Sequence, residues 1–347
     1  MIIISARCLV MVRLLPLLVL LLLAACGDSR DDQLFIYSAR HYDADTLLYD
    51  RFTELTGIEI RLLQGNSDEL IERMSREGVA SPADVLITVD AGRLWRADQA
   101  GVLQPVASDL LLERVPAHLR HPEGHWFGFS QRLRVIFYNR DNFDPAAVSR
   151  YEDLADSALA GSVCVRSSNN VYNQSLLGSM IAHHGIAGAT EWASGLVANL
   201  SRQPQGGDTD QILGVASGEC ELAIANHYYY VRLATSDEPE QRRAAARVGI
   251  IFPNQEDRGV HVNVGGAGVA RHAPNRDNAV RFLEYLASDE AQAMFARNNF
   301  EYPVVAGVAP DPAILQWGEL RLDTLDVAEL GTHNPEAVRI ADRVGWR

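Results

Sequence analysis

The chain alternates short apolar runs with segments whose apolar residues recur at helical spacing. Leu34-Phe35-Ile36-Tyr37-Ser38-Ala39 is an apolar run ending in small residues, which predicts a strand. From Asp43 to Thr56, Leu47, Leu48, Phe52 and Leu55 fall on one helical face, and Gly57 closes the segment. A strand over 58–63, a helix over 67–77 and a strand over 85–89 follow. The helix opens on Ser67-Asp68-Glu69, whose carboxylates suit the positive end of a helix dipole. The same grammar resumes past residue 160. Strands are expected over 162–166 and 222–226, with helices over 175–184 and 190–200 between them. Long helices close the chain over 278–298 and 335–344. Strand–helix–strand repetition with short links predicts an α/β protein with a mostly parallel sheet covered by helices.

Two long strand-like stretches break this rhythm: WFGFSQRLRVIFYN at 126–139 and GVHVNVGGAGVA at 259–270. Placed between two α/β halves, such strands are expected to cross from one lobe to the other, as a hinge does. Gly265-Gly266-Ala267-Gly268 lacks the third glycine of a dinucleotide loop and reads as a closely packed crossover strand. The 347 residues are enough for two domains of ordinary size. No internal repeat or low-complexity tract occurs beyond the leader.

The first residues follow a different pattern. Arg7 and Arg13 precede an apolar run from Leu14 to Leu23 and then small residues, the layout of a secretory signal. The run is about half the ~20 residues that a membrane span needs. Met11 opens a signal that is complete by itself. Leu23-Ala24-Ala25-Cys26 looks like a bacterial lipobox, so residues 1–25 are expected to be removed and Cys26 to carry lipid; a plain secretory signal with a chance cysteine is the alternative. Residues 26–32 then form a polar tether. Export makes disulfides feasible. With Cys8 and Cys26 set aside, Cys164 and Cys220 remain, which predicts one bridge, with two buried thiols as the alternative.

The net charge of −14 becomes −16 when Arg7 and Arg13 leave with the signal. A surface that acidic argues against nucleic acid as a partner, since phosphates call for basic patches. Enzyme signatures are scarce: there is no P-loop, no H-E-x-x-H and no G-x-S-x-G. CxxC and clustered Cys/His zinc patterns are missing too.

Tyrosines carry the chemical signal. His41-Tyr42-Asp43 follows the first strand. Tyr172 follows the strand holding Cys164, and Tyr228-Tyr229-Tyr230 follow the strand ending at Asn226. All three groups sit at C-terminal ends of expected strands, where open α/β sheets hold ligands. Any one of them alone could be core filler or a surface aromatic. Neighbouring side chains on a strand point to opposite faces, so Tyr228 and Tyr229 converge only if the strand ends at or near Asn226. Phenols and an imidazole suit a hard trivalent cation. A free phenol ionises only near pH 10, but a bound ferric ion supplies the local positive charge that lowers this. Imidazole is a competent iron ligand, and the missing thiolates fit iron(III) better than copper(I) or zinc.

With these residues in view, the chain resembles the periplasmic ferric-ion-binding proteins of bacterial iron(III) ABC transporters, most closely the cyanobacterial iron-binding branch. The resemblance runs from about residue 33 to Gly345-Trp346-Arg347. It rests on YSARHYDAD near the start, SPADVLITVDAGRLWRA at 81–97, SQRLRVIFYN, RSSNNVYNQSL and ANHYYYVRL. It implies a two-lobed periplasmic binding protein with one Fe3+ in the interlobe cleft, held by His41, Tyr42, Tyr172, Tyr228 and Tyr229. Arg132 resembles a family cleft arginine that contacts a ligand phenolate or an anion. Tyr230 is expected to pack; His227, which replaces a small polar residue, is expected to face outward from a loop, with an extra contact at the site as the alternative. The lobes are expected over 33–133 with 263–313 and 134–262 with 314–347. A non-enzymatic, monomeric, lipid-anchored periplasmic protein follows, with a permease and an ATPase as partners. The same fold binding a phosphonate, thiamine or a polyamine is the rival, although such sites use Arg, Ser, Asp or Trp rather than grouped tyrosines. An enzyme on an α/β scaffold is a second rival, for which no nucleophile–base or acid–base set is found.

Overall fold

The computed structural model describes residues 32–40, 42 and 45–347. The signal, the lipid site expected at Cys26 and the ligand expected at His41 lie outside the described residues. Among the described residues, no helix is long and apolar enough to cross a membrane.

Among the described residues, nine strands form one strongly curled mixed sheet. They are β1 (Gln33–Ser38), β2 (Glu59–Gln64), β3 (Val85–Thr88), β4 (Phe127–Asn139), β5 (Val163–Cys164), β6 (Leu222–Asn226), β7 (Val248–Ile251), β8 (Val262–Val269) and β9 (Tyr302–Pro303). Along the sheet the order is β2-β1-β3-β8-β4-β6-β5, with β7 and β9 also on β4. β1 pairs parallel with β2 and β3, and β5 pairs parallel with β6. These are the strand–helix–strand units read from the apolar pattern. Every other ladder is antiparallel, including all four on β4. The sheet is therefore mixed rather than mostly parallel, because the strands linking the halves run against both.

β4 is the seam. Its first half, Phe127–Leu133, pairs with β8. Its second half, from Arg134, pairs with β6 and β7. One continuous strand thus belongs to both halves of the sheet and changes partners between Leu133 and Arg134. β8 does not share this property: its ladders run only to β3 and β4. The glycines of β8 permit close packing. A Cβ on Gly266 would stand 2.4 Å from the Phe127 carbonyl oxygen, and one on Gly268 2.4 Å from that of His125.

Helices cover the sheet much as the apolar spacing predicts, with one difference. The pair expected over 175–200 is present within Val171–Ala198 as two helices that meet at Gly185, whose φ of 68° and ψ of 174° are not helical. The single helix expected over 278–298 is two, Arg276–Leu286 and Asp289–Asn299, the second capped by the Ser288 hydroxyl. The helix Asn334–Val344 brings buried Trp346 back to the second half, where its indole donates to the Arg166 carbonyl at 3.0 Å. Cys164 and Cys220 are joined by a disulfide with their Cα atoms 5.8 Å apart. It ties β5 to the turn before β6. Closing a loop of this length stabilises by up to about 4 kcal/mol in the chain-entropy view.

The β4–β8 contact yields a direct test. Gly266→Ala forces a methyl against a backbone carbonyl that the ladder holds in place, so it should destabilise by about 1–3 kcal/mol. A thermal midpoint equal to that of the parent protein would contradict this packing.

Candidate functional site

Four tyrosines converge from three parts of the chain. Tyr42 follows β1. Tyr172 is the second residue of the helix Val171–Ala198, whose N-cap, Asn170, accepts from the Tyr172 N–H at 3.0 Å. Tyr228 and Tyr229 lie in the first turn of the helix His227–Ala234. β6 does end at Asn226, and the following helical turn presents both rings on one side, with centroids 4.4 Å apart. The Tyr42 hydroxyl is 3.4 Å from that of Tyr228, which donates to Tyr172 at 3.5 Å. Asn226 Nδ2 donates to the Tyr228 hydroxyl at 3.5 Å. Three of the phenols, Tyr172, Tyr228 and Tyr229, thus come from the first turns of two helices, where partial positive charge favours an anion.

Beneath the phenols lies a dense ionic network. Arg132 and Arg134 are two apart on β4 and therefore share a face. Both are almost fully buried. Arg132 Nε donates to Glu301 at 2.6 Å and its Nη1 to the Val89 carbonyl, while Nη2 is buried with no hydrogen-bond partner. Arg40 donates to Asp45 at 2.8 Å and stands 3.3 Å from the same Glu301, with its guanidinium 5.0 Å from the Tyr42 ring centre. Arg134 donates to Asp208 at 3.0 Å and to Asn173 at 2.6 Å, and Arg166 donates to the other Asp208 oxygen at 3.2 Å. Gly265 allows two of these groups to approach: a Cβ there would stand 2.6 Å from Arg132 Nη2 and 2.8 Å from Arg40 Nη1.

Arg232 completes the ring of cations. Its guanidinium lies 4.7 Å from the Tyr42 ring centre, 5.0 Å from that of Tyr228 and 5.8 Å from that of Tyr229. Around the phenols, Arg40, Arg132, Arg134, Arg166 and Arg232 oppose Asp45, Asp208 and Glu301, a surplus of two positive charges. Even so, burial first, then the neighbouring phenols, push Tyr172 and Tyr228 well above the ordinary value of 10, with Arg132 pulling the other way. Tyr229 is raised by burial and by Asp208. Without a cation, then, these phenols are held protonated. Burial would raise Glu301, but Arg132 and Arg40 outweigh it and hold the carboxyl at about 2.

The expected site residues separate clearly. Tyr42, Tyr172, Tyr228 and Tyr229 come together, with Arg132 at their base. Tyr230 turns away and stacks on Phe137, centroids 5.7 Å apart. His227 departs from expectation: it is fully buried rather than outward-facing. Its Nδ1 accepts the Leu133 N–H at 3.1 Å and its Nε2 donates to the Phe300 carbonyl at 2.8 Å. With both nitrogens engaged by backbone, it packs the tyrosine helix onto β4. Arg40, Arg134, Arg232, Asp208 and Glu301 were not singled out from the sequence. Arg134 was in reach through its i,i+2 spacing from Arg132, and Arg232 through its i+4 and i+3 spacing from Tyr228 and Tyr229. That second relation exists only once the segment is known to be helical.

A curled sheet in two halves with a buried cluster of tyrosines and arginines at its seam matches the two-lobed type of solute-binding protein. The profile of the bacterial extracellular solute-binding proteins matches residues 80–320, and the chain belongs to that family. Iron uptake protein A1 of Synechocystis is 48% identical over 336 residues, covering 94% of this chain and 93% of that protein. Iron uptake protein A2 of the same organism is 51% identical over 314 residues, covering 90% and 89%. A solved Trichodesmium FutA, in complex with iron and citrate ligands, superposes with a TM-score of 0.88 at 50% identity, covering 91% of this chain and 100% of that one.

Two buried histidines make the protein acid-sensitive. Burial holds His227 at about 4 and His261 at about 3, below the ordinary 6.5. Below pH 6.5 the unfolded chain takes up protons that the folded chain refuses. The stability carried by these neutral rings is complete above pH 6.5 and is lost as the pH falls toward the folded values. Each ring accounts for up to about 1.4 kcal/mol per pH unit inside its window. The Glu301 contribution is lost lower, between its ordinary 4.5 and about 2. Thermal midpoints of metal-free protein should hold from pH 8 to 7 and drop steadily from pH 6 to 4. Equal midpoints at pH 7.5 and 4.5 would refute this assignment.

Proposed function

We propose that this chain is the substrate-binding protein of an iron(III) ABC importer and captures one ferric ion between its lobes. The observation that carries the reading is the convergence of Tyr42, Tyr172 and Tyr228, whose hydroxyls lie 3.4 and 3.5 Å apart over buried guanidinium groups. The iron-named relatives at about half identity support it. Tyr42, Tyr172, Tyr228 and Tyr229 are the phenolate ligands, and His41 supplies the imidazole. Each phenolate offsets part of the +3 charge, and the two surplus arginine charges balance phenolates beyond that. Iron must displace the phenol protons, so affinity falls as acid competes for the ligands. The lobes are residues 33–133 with 263–313 and 134–262 with 314–347. The partner change of β4 between Leu133 and Arg134 and the docking of Trp346 on the second half support this division. Tyr42 comes from one lobe and the other phenols from the second, so closure gathers the ligand set and iron favours the closed state. The protein is a monomeric, non-enzymatic carrier that delivers to a permease and its ATPase.

Absorbance of purified protein with ferric citrate tests the site, because phenolate-to-iron charge transfer is visible. Tyr228→Phe or Tyr229→Phe should shift or bleach the band. Either should weaken binding by about 100-fold or more, beyond the ~10–100-fold typical of an outer partner. Tyr230→Phe should leave both nearly intact. Equal damage from Tyr230→Phe would place the ligand pair one residue further on.

The lipobox-like Leu23-Ala24-Ala25-Cys26 motivates a lipid anchor in the periplasm. Cys26→Ser should abolish lipid labelling and leave soluble or unprocessed protein; labelling that persists in the variant would rule out Cys26 as the anchor.

A further inference from the structure

Away from the tyrosines, one cluster of metal-ligating side chains has no role in the proposed iron chemistry. Asp98, near the end of the helix Ala91–Gln99, meets His121 and His125, and one donor atom from each lies within 4.8 Å of the others. The N-cap of the same helix, Asp90, accepts from Ser175 at 2.8 Å near the seam between the halves. Asp98 lies eight residues further along, about 12 Å down the helix axis. The cluster is thus held apart from the phenols by the length of a helix.

The two imidazoles are placed by a tight turn. His121 N–H donates to the Trp126 carbonyl at 2.9 Å, and Gly124 N–H to the His121 carbonyl at 3.0 Å. This folds His121 and His125 together with rings parallel to within 3° and centroids 4.5 Å apart. Both face one carboxylate: His125 Nδ1 is hydrogen-bonded to Asp98 Oδ1, and His121 Nε2 lies 3.5 Å from Asp98 Oδ2. Glu123 Oε2 lies 3.8 Å from His125 Nε2, on the far side of that ring from Asp98. Asp98, Glu123 and Asp326 all act on His121 as negative charges. The side chains of Asp98, His121 and His125 are 12%, 17% and 22% exposed, sheltered yet open to an entering ion.

We propose that Asp98, His121 and His125 form a second cation site, selective for a divalent borderline metal such as zinc rather than for ferric iron. Two imidazoles and one carboxylate, with a fourth position open to water, are the donor set of a tetrahedral zinc-type centre. Bonds of ~2.1 Å put donors ~3.4 Å apart: His121 Nε2 already stands 3.5 Å from Asp98 Oδ2, and the His125–Asp98 hydrogen bond opens to admit the ion. Each neutral ring carries one proton, on the nitrogen that faces Asp98. The cation takes that position, and the same proton passes through solvent to the opposite nitrogen. On His125 this is Nε2, where Glu123 is placed to hold it, the usual outer support of a metal-bound histidine. On His121 it moves to Nδ1, which gives up the Glu123 N–H contact of 3.1 Å. That loss sets the expected affinity in the micromolar range rather than that of a structural zinc.

Calorimetric titration of the iron-free mature protein with zinc chloride, and cobalt(II) absorption in parallel, tests the site. One zinc should bind, and His121→Ala, His125→Ala and Asp98→Asn should each weaken it about tenfold or more. The Tyr228→Phe/Tyr229→Phe double variant should bind zinc unchanged, and the three cluster variants should keep the iron colour. This separates the second site from the ferric reading: either can fail alone. Long-range proton–nitrogen NMR of the parent protein should move the ring resonances of both histidines on zinc addition, which keeps the test intact if a variant misfolds. No uptake by the parent protein at 100 µM zinc, histidine resonances that do not move, or zinc binding lost only in the tyrosine variant would each overturn the proposal.

Discussion

Everything in the cleft depends on keeping positive charge buried on one face of β4. Arg132 and Arg134 point the same way because they are two residues apart on a strand. A buried guanidinium is tolerable only when paired, and each is paired from a different side of the molecule. Arg132 takes Glu301, just before β9, and Arg134 takes Asp208, at the start of a second-half helix. Glu301 is shared with Arg40, and Asp208 with Arg166. The two ion clusters therefore fasten both halves of the sheet to the strand they have in common. Removing one partner would leave a charge buried and uncompensated, which costs several kcal/mol.

Under the proposed function, that arrangement lets a site made of phenols stay protonated without metal and still take up a trivalent ion. In the metal-free protein, burial keeps Tyr172 and Tyr228 protonated, and their hydroxyls satisfy one another. The arginines lower the cost of ionisation without being enough to cause it. In the proposed reading a ferric ion would supply the remainder, and the phenol protons would leave as it enters. Helix N-termini behind Tyr172 and Tyr228 add to the same field. Arg232, with its guanidinium 4.7 Å from the Tyr42 ring centre and near those of Tyr228 and Tyr229, adds a half-buried positive charge beside the phenols.

β4 also links the two halves. Its ladder passes from β8 to β6 and β7 between Leu133 and Arg134, and the Arg134 N–H still reaches the His261 carbonyl at 3.3 Å, so the junction is tied from both sides. His227 binds beside this point to the Leu133 backbone and reaches the Phe300 carbonyl, next to Glu301. The helix carrying Tyr228 and Tyr229 is thereby referenced to the seam itself. Its neutral, buried imidazole serves geometry rather than ligation.

Much of this was legible in the chain. Apolar spacing located the β1-to-β3 unit and the helix over 67–77 almost to the residue, because local amphipathicity decides them. The stopping point of β6 followed from the need for Tyr228 and Tyr229 to face the same way. The long strand at 126–139 stood out by its length alone. Other features arise only in three dimensions. The antiparallel sense of β4 and β8 depends on how distant segments pair, which no local period encodes. His227 is expected from the sequence to face outward from a loop, but the backbone that buries it comes from Leu133 and Phe300, 94 and 73 residues away. Likewise Glu301 gains its role only when folding sets it 169 residues back along the chain against Arg132. Patterning reports which residues must be buried; which buried charges meet is decided by tertiary contact, because pairing energy depends on distance and dielectric rather than on sequence order.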